Sequence, residues 1–192
     1  MQRPLVDNYT VRELSPETFA PLFSEYRPIV FADTYHLSPG YAYSDMEKQR
    51  LEPLRERLAS AYALRLGIFR EDTFVGWHLG LQVAPSNFMM VSTGILEEHR
   101  RKGIYTALLP LILERVRAEG FQVVSSRHNL TNNAVIIPKL KAGFVISGFE
   151  VSDMYGSLVH LSYFFNATRR KLLDVRVGQA APDEEARKLL QN

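Results

Sequence analysis

A strand, a sharp basic turn and a helix between Asn87 and Ala118 constrain this chain more than any other stretch. Asn87-Phe-Met-Met-Val-Ser-Thr-Gly-Ile-Leu96 is apolar and partly β-branched, the composition of a buried strand. From Ile104 to Ala118 the spacing predicts a helix, with Ile104, Ala107, Leu108, Leu111, Ile112 and Val116 on one stripe. Phe121 to His128 reads as the next strand. A helix that crosses over between two strands makes them parallel neighbours. The chain is therefore built on a strand–helix–strand unit, and the remaining elements must complete a sheet around it.

The turn itself, Glu97-Glu-His-Arg-Arg-Lys-Gly103, suits an anion. A helix N-terminus leaves its first N–H groups without intrahelical partners, and its dipole favours negative charge. Gly103 lets the backbone approach closely, and Arg100, Arg101 and Lys102 deepen the potential. A diphosphate fits this description. Taken alone, the turn reads first as a glycine bend with solvated charges between a strand and a helix.

Composition narrows the function. One domain with a sizeable core is expected for 192 residues that are 46% hydrophobic. A net charge of +2 does not suggest a nucleic-acid surface. The absence of cysteine excludes disulfides, a thiolate metal site and a cysteinyl acyl-enzyme. No two histidines have the spacing of a helical metal pair, so no metal is expected. The first residues lack the apolar core of a signal peptide, and no apolar tract is long enough to span a bilayer. These features predict a cytoplasmic protein without a membrane partner.

The rest of the chain alternates strands and helices. Asn8 to Leu14 is expected as an edge strand. Ser15-Pro16 starts a helix that carries Phe19, Leu22, Phe23 and Tyr26 and should end near Pro28. Residues from Ile29 to Ser44 are irregular. Ser44 or Asp45 caps a second helix running to about Ser60, which Pro53 should kink or split. Ala61 to Phe69 and Phe74 to Val83 form a hairpin. On its second strand Val75, Trp77, Leu79 and Leu81 share one face, and Gly76, His78 and Gly80 the other. Two glycines flanking His78 imply a close approach there, by a packed helix or by a ligand. Pro110, inside the helix after the turn, should bend it. Asn129 to Asn133 is a loop, Ala134 to Lys141 a short helix, and Phe144 to Asp153 and Ser157 to Phe165 a terminal hairpin. Arg169-Arg-Lys171 falls in a helix, with a last short helix near Asp183 to Leu190.

Arg100-Arg-Lys-Gly103-Ile-Tyr105 resembles the Arg-x-x-Gly-x-Gly/Ala acetyl-CoA loop of the GNAT acetyltransferase superfamily, with Tyr105 where a small residue is usual. Asn129-Leu-Thr-Asn132-Asn-Ala134 followed by Lys141-Ala-Gly143-Phe144 resembles that family's second signature, in the same order and spacing. The resemblance covers roughly Tyr9 to Phe165. It implies an α/β fold: a mixed, mostly antiparallel sheet with a central, splayed parallel strand pair and helices on both faces. It implies a single acyl-CoA-binding domain over residues 1–165, with residues 166–192 as a helical extension or partly disordered tail. It also implies that acetyl-CoA lies in the splayed gap as co-substrate. Ile95 and Leu96 would offer backbone groups to its arm. Arg100, Arg101, Lys102, Gly103, Ile104, Tyr105 and Thr106 would surround its diphosphate, and Asn132 would reach the arm from the far side.

The implied chemistry is direct acetyl transfer to an amine of a small molecule or a peptide. A base must take the ammonium proton, a backbone N–H must stabilise the oxyanion, and the thiolate must leave. Many relatives protonate the thiolate with a tyrosine in the short second helix. Here that position is Lys139, which is open as a counter-charge to the leaving sulfur. Thiols, with a pKa of roughly 8.5, also leave acceptably as thiolates. Asn87 stands where the histone-modifying branch has a glutamate base, so His78, Glu97 and His36 are the candidate bases. His99, His128 and His160 read as structural. Tyr35, His36, Tyr41 and Tyr155, with Phe31, Tyr43 and Tyr163, line a mouth for the acceptor or pack the loop onto the sheet. A homodimer is open. A non-catalytic acyl-CoA-binding module is the alternative. A nucleotide-binding α/β domain fails for want of a Gly-x-Gly-x-x-Gly or Walker loop.

Overall fold

The computed structural model describes residues 2–32, 43–58 and 60–190. In chain order the elements are β1 (Gln2–Pro4), β2 (Tyr9–Glu13), α1 (Pro16–Val30), α2 (Asp45–Leu58), β3 (Ala63–Arg70), β4 (Thr73–Ala84) and β5 (Asn87–Ile95). Then come a 3-10 turn (Glu97–His99), α3 (Ile104–Ala118), β6 (Val123–Asn129), α4 (Asn133–Lys141), β7 (Val145–Ser152), β8 (Gly156–Phe164), α5 (Ala167–Arg176) and α6 (Glu184–Leu190). The strands form one sheet in the order β1-β2-β3-β4-β5-β6-β8-β7. Every neighbouring pair is antiparallel except β5 and β6. The expected mixed sheet around a parallel pair is present.

Local chemistry explains the element boundaries. Ser15 caps α1 by accepting from the Thr18 amide at 3.3 Å, with Pro16 at the first helical position. Ser44 and Glu47 form a reciprocal cap on α2: the Ser44 amide donates to Glu47 at 2.8 Å, and the Glu47 amide to Ser44 Oγ at 3.4 Å. Four expectations need correction. α1 continues through Pro28 to Val30. α2 runs on as one helix past Pro53, and its end at Leu58 precedes Ser60. β2 is interior, because Gln2–Pro4 pairs on its outer side. Val75 and Trp77 do not share a core. Phe74 pairs with Phe69 and Gly76 with Ile68, so Val75 is the extra residue of a bulge.

Two cores result, one on each face of the sheet. Phe19 packs with Phe69, Phe74 and Trp77, against Leu22, Phe23 and Tyr26 of α1. The larger core joins Tyr9, Val11, Leu64, Leu66, Ile68, Phe88 and Met90 of the sheet to Ile104, Leu108, Leu109, Ile112 and Val116 of α3 and Ile136 of α4. The buried stripe of α3 includes Leu109 and Leu113 in place of Ala107 and Leu111. Pro110 lies on the exposed side, where its missing N–H leaves α3 one continuous helix. Among the described residues no helix is long and apolar enough to cross a membrane.

Candidate functional site

β5 and β6 run side by side only from Asn87↔Val123 to Met90↔Ser126. β5 then continues to Ile95 and β6 to Asn129 without pairing each other. They leave a wedge whose vertex is at Met90 and Ser126. At that vertex the register of β5 against β4 also shifts: Leu79 faces Ser92 and Gly80 faces Met90, so Val91 is bulged. The wedge is about 20 Å long, from Met90 to the turn after β5.

At its outer end stands the N-terminus of α3. Gly103 is the N-cap, with a left-handed φ of 76° and no side-chain cap. The first intrahelical bond is Ala107 N–H to Gly103 C=O, at 3.0 Å. The amides of Ile104, Tyr105 and Thr106 therefore have no helical acceptor. The first turn holds no acidic residue, and a Cβ on Gly103 would meet nothing within 4 Å. Arg101 and Lys102 are exposed, and Arg101 also adopts a left-handed φ of 62°. Arg100 is used differently. Its Nε donates to Ile95 C=O at 2.9 Å and its Nη2 to Val30 C=O at 3.1 Å. It ties the end of α1 to the end of β5. Tyr105 is half-buried, and desolvation raises its phenol pKa. The turn is further anchored by Tyr9, whose hydroxyl lies 2.8 Å from His99 Nδ1.

The strand's own backbone is partly committed. Leu96 N–H donates to Val75 C=O at 2.9 Å, and the Ile95 carbonyl takes Arg100. Alternate strand residues direct their backbone groups to opposite edges, so the Ile95 amide is turned to the wedge and the Leu96 amide away from it. Across the wedge Asn132 is exposed at the N-cap of α4, and its side chain makes no cap bond.

At the inner end lies a cluster that the sequence only half announced. Lys139 of α4 is 1% exposed, and its Nζ lies 3.3 Å from Met90 Sδ and 5.0 Å from the Phe144 ring centroid. Burial pulls its pKa down to about 7. His78 of β4 is fully buried, with Nδ1 2.8 Å from Thr93 Oγ1. Its Nε2 has no hydrogen-bond partner among the described residues. Burial first, and the Lys139 charge second, push it down to about 3. His128 of β6, bonded to Ser126 Oγ at 3.0 Å, is held at about 3 for the same two reasons. The sequence signal for His128 was its period-two spacing from Ser126, which puts both on one face of β6.

These placements sort the candidate bases. His78, sealed and held near 3, has no route to an external amine at neutral pH. Glu97 is exposed but sits at the turn, about 20 Å along β5 from Lys139. The glycines beside His78 have another explanation than a helix or a ligand. A Cβ on Gly80 would lie 2.1 Å from the Phe88 ring, and one on Gly76 would lie 2.4 Å from Gly94 O. Both neighbours belong to β5. Tyr35, His36 and Tyr41 lie outside the described residues. Tyr155 is 38% exposed at the tip of the β7–β8 hairpin. Tyr163 packs between Phe144 and Phe165, and His160 bonds Glu150 at 2.7 Å. A surface cavity of about 530 Å³ is lined by Leu113, Arg117, Tyr163 and Phe165. It sits at the opposite end of α3 from Gly103 and touches none of this machinery.

Comparison with known proteins agrees with this fold. YncA of Salmonella typhimurium, solved with its cofactor acetyl-CoA, is 15% identical, with a TM-score of 0.61, over 93% of this chain and 99% of that one. A GNAT family acetyltransferase from Elizabethkingia anophelis with acetyl-CoA bound is 10% identical, with a TM-score of 0.59, over 83% and 99%. A ribosomal-protein-alanine N-acetyltransferase from Brucella melitensis is 19% identical, with a TM-score of 0.58, over 81% and 99%. At such identities the likeness establishes the fold. No curated protein matches in sequence. Residues 18–144, about two thirds of the chain, match the Acetyltransferase (GNAT) family, from α1 through the wedge and the α3 turn to Phe144. This chain belongs to the GNAT acetyltransferase family.

Proposed function

We propose that this protein moves the acetyl group of acetyl-CoA directly to an amine of a small molecule or peptide, with the thioester at the vertex of the β5–β6 wedge. The observation that carries the reading is that the two ends of one wedge are differently equipped. Its outer end offers the free amides of Ile104 to Thr106 beside Arg101 and Lys102, which suit a diphosphate. Its inner end offers a buried ammonium, Lys139, where a sulfur anion would form. The Ile95 amide and Asn132 flank the path between them. Residues 1–165 carry this machinery. The remainder forms α5 and α6, which pack back through Arg170, donating to Gly143 C=O at 3.0 Å, and through buried Ala186.

The residues then divide the work. A β5 amide at the vertex, where the strand is bulged at Val91, would stabilise the developing oxyanion as a preorganised donor that needs no rearrangement. Lys139 already rests against one sulfur, that of Met90, and gives its proton to the departing CoA thiolate. A pKa near 7 fits that duty, since both protonation states are accessible at neutral pH. Of the candidate bases within the described residues, neither His78 nor Glu97 is placed to take the acceptor's own proton; water at the open end can take it.

Gly103→Asp tests the reading. Asp tolerates the left-handed conformation better than most residues, so the fold should persist. The carboxylate would stand where the diphosphate belongs. CoA affinity measured by calorimetry should fall by about tenfold or more, roughly 1.4 kcal/mol. Unchanged affinity in a folded variant would remove the site from the α3 turn.

A further inference from the structure

We infer that Lys139 is itself an acetyl acceptor: without an external amine, the docked thioester acetylates its Nζ and leaves a blocked enzyme. The inference rests on the proposed function, because it needs the thioester at the vertex. Three observations lead to it. First, Lys139 is 1% exposed and its Nζ sits at the vertex, 3.3 Å from Met90 Sδ, so a reagent in bulk solvent does not meet it. Second, among the described residues no carboxylate is paired with it. Its neighbours are a thioether, the Phe144 ring and two histidines, His78 and His128, from β4 and β6. Such surroundings favour the free amine, the nucleophilic form, and lower the pKa to about 7. Third, His78 Nε2 is buried with no partner among the described residues, and the ring lies within range of the Lys139 charge. In the tautomer whose Nδ1 accepts from Thr93 Oγ1, Nε2–H is a donor for an acyl oxygen, and acetylation would supply one.

The step balances without a further reagent. The Nζ lone pair attacks the thioester carbonyl, the C–S bond breaks, and an amide C–N bond forms. One Nζ proton goes to the departing sulfur, giving free CoA thiol and N-acetyl-Lys139. The amide does not turn over, and the modified side chain can no longer protonate a thiolate. The enzyme would thus lose activity when acetyl-CoA is abundant and its acceptor is scarce.

The test incubates the full chain with acetyl-CoA and no acceptor, follows free thiol, and maps acetylated lysines by peptide mass spectrometry. CoA binding is measured on the same sample by calorimetry. The inference predicts one equivalent of thiol per chain, then a halt, with the acetyl group on the Lys139 peptide. Excess CoA should suppress the mark, and Lys139→Arg should lack both mark and burst. Acetyl phosphate, which has no diphosphate–nucleoside handle, should instead label exposed lysines such as Lys102. CoA binding with Lys139 unmodified, or with the mark only on exposed lysines, would overturn the inference and leave the proposed function standing. An absence of CoA binding would overturn the proposed function itself.

Discussion

Lys139 is an unusual residue to find 1% exposed with no carboxylate partner among the described residues, and its cost should be measurable apart from any catalysis. Its pKa is about 7 in the fold, against 10.5 for an unfolded lysine. Between those values the unfolded chain binds a proton that the folded chain does not. Stability should therefore climb with pH across that window, by at most about 1.4 kcal/mol per unit. The phenols of Tyr62 and Tyr105, raised by burial, oppose this only above pH about 10. Urea unfolding followed from pH 7 to 9.5 should show the rise, and Lys139→Met should flatten it. Equal slopes in both proteins would mean that the lysine is charged, or solvated, in the fold. The sequence showed only that Lys139 occupies a place where tyrosine is usual. Its burial depends on Met90, His78 and His128, which come from three different strands, and no local pattern joins them.

At the scale of elements, most of the architecture was legible because the signals are local. Ser15-Pro16, Ser44 with Glu47, and Gly103 mark helix starts by their own chemistry, and α3 begins and ends at Ile104 and Ala118 as its spacing predicts. What escaped depends on pairing. The strand Gln2–Pro4 is three residues long and exists only through β2. The bulges at Val75 and Val91 arise from register with neighbouring strands. Pro28 of α1 and Pro53 of α2 were over-read as breakers, for a helix tolerates a missing N–H on its exposed side. Gly80 is the instructive case. Its bareness makes room for Phe88, a core ring packed against Tyr62 and Phe121 that has nowhere to move. Gly80→Ala should destabilise the fold by about 1–3 kcal/mol in chemical denaturation. A neutral outcome would show that the Phe88 ring is free to shift.

Over the whole molecule, one sheet holds two functions apart. The face under α1 is an aromatic core of Phe19, Phe69, Phe74 and Trp77 that keeps β4 and β5 rigid. The other face, under α3 and α4, opens between β5 and β6 and exposes the ends of both helices to one wedge. Arg100 links the two sides, joining Val30 of α1 to Ile95 at the wedge mouth. A wedge of this form binds an extended molecule whose anionic end and reactive end lie far apart. A crystal of the protein grown with acetyl-CoA tests that most directly. The account predicts diphosphate oxygens within hydrogen-bond distance of the Ile104, Tyr105 and Thr106 amides, and the coenzyme sulfur within about 4 Å of Lys139 Nζ. Phosphates bound away from the start of α3, or a sulfur separated from Lys139 by intervening side chains, would contradict it.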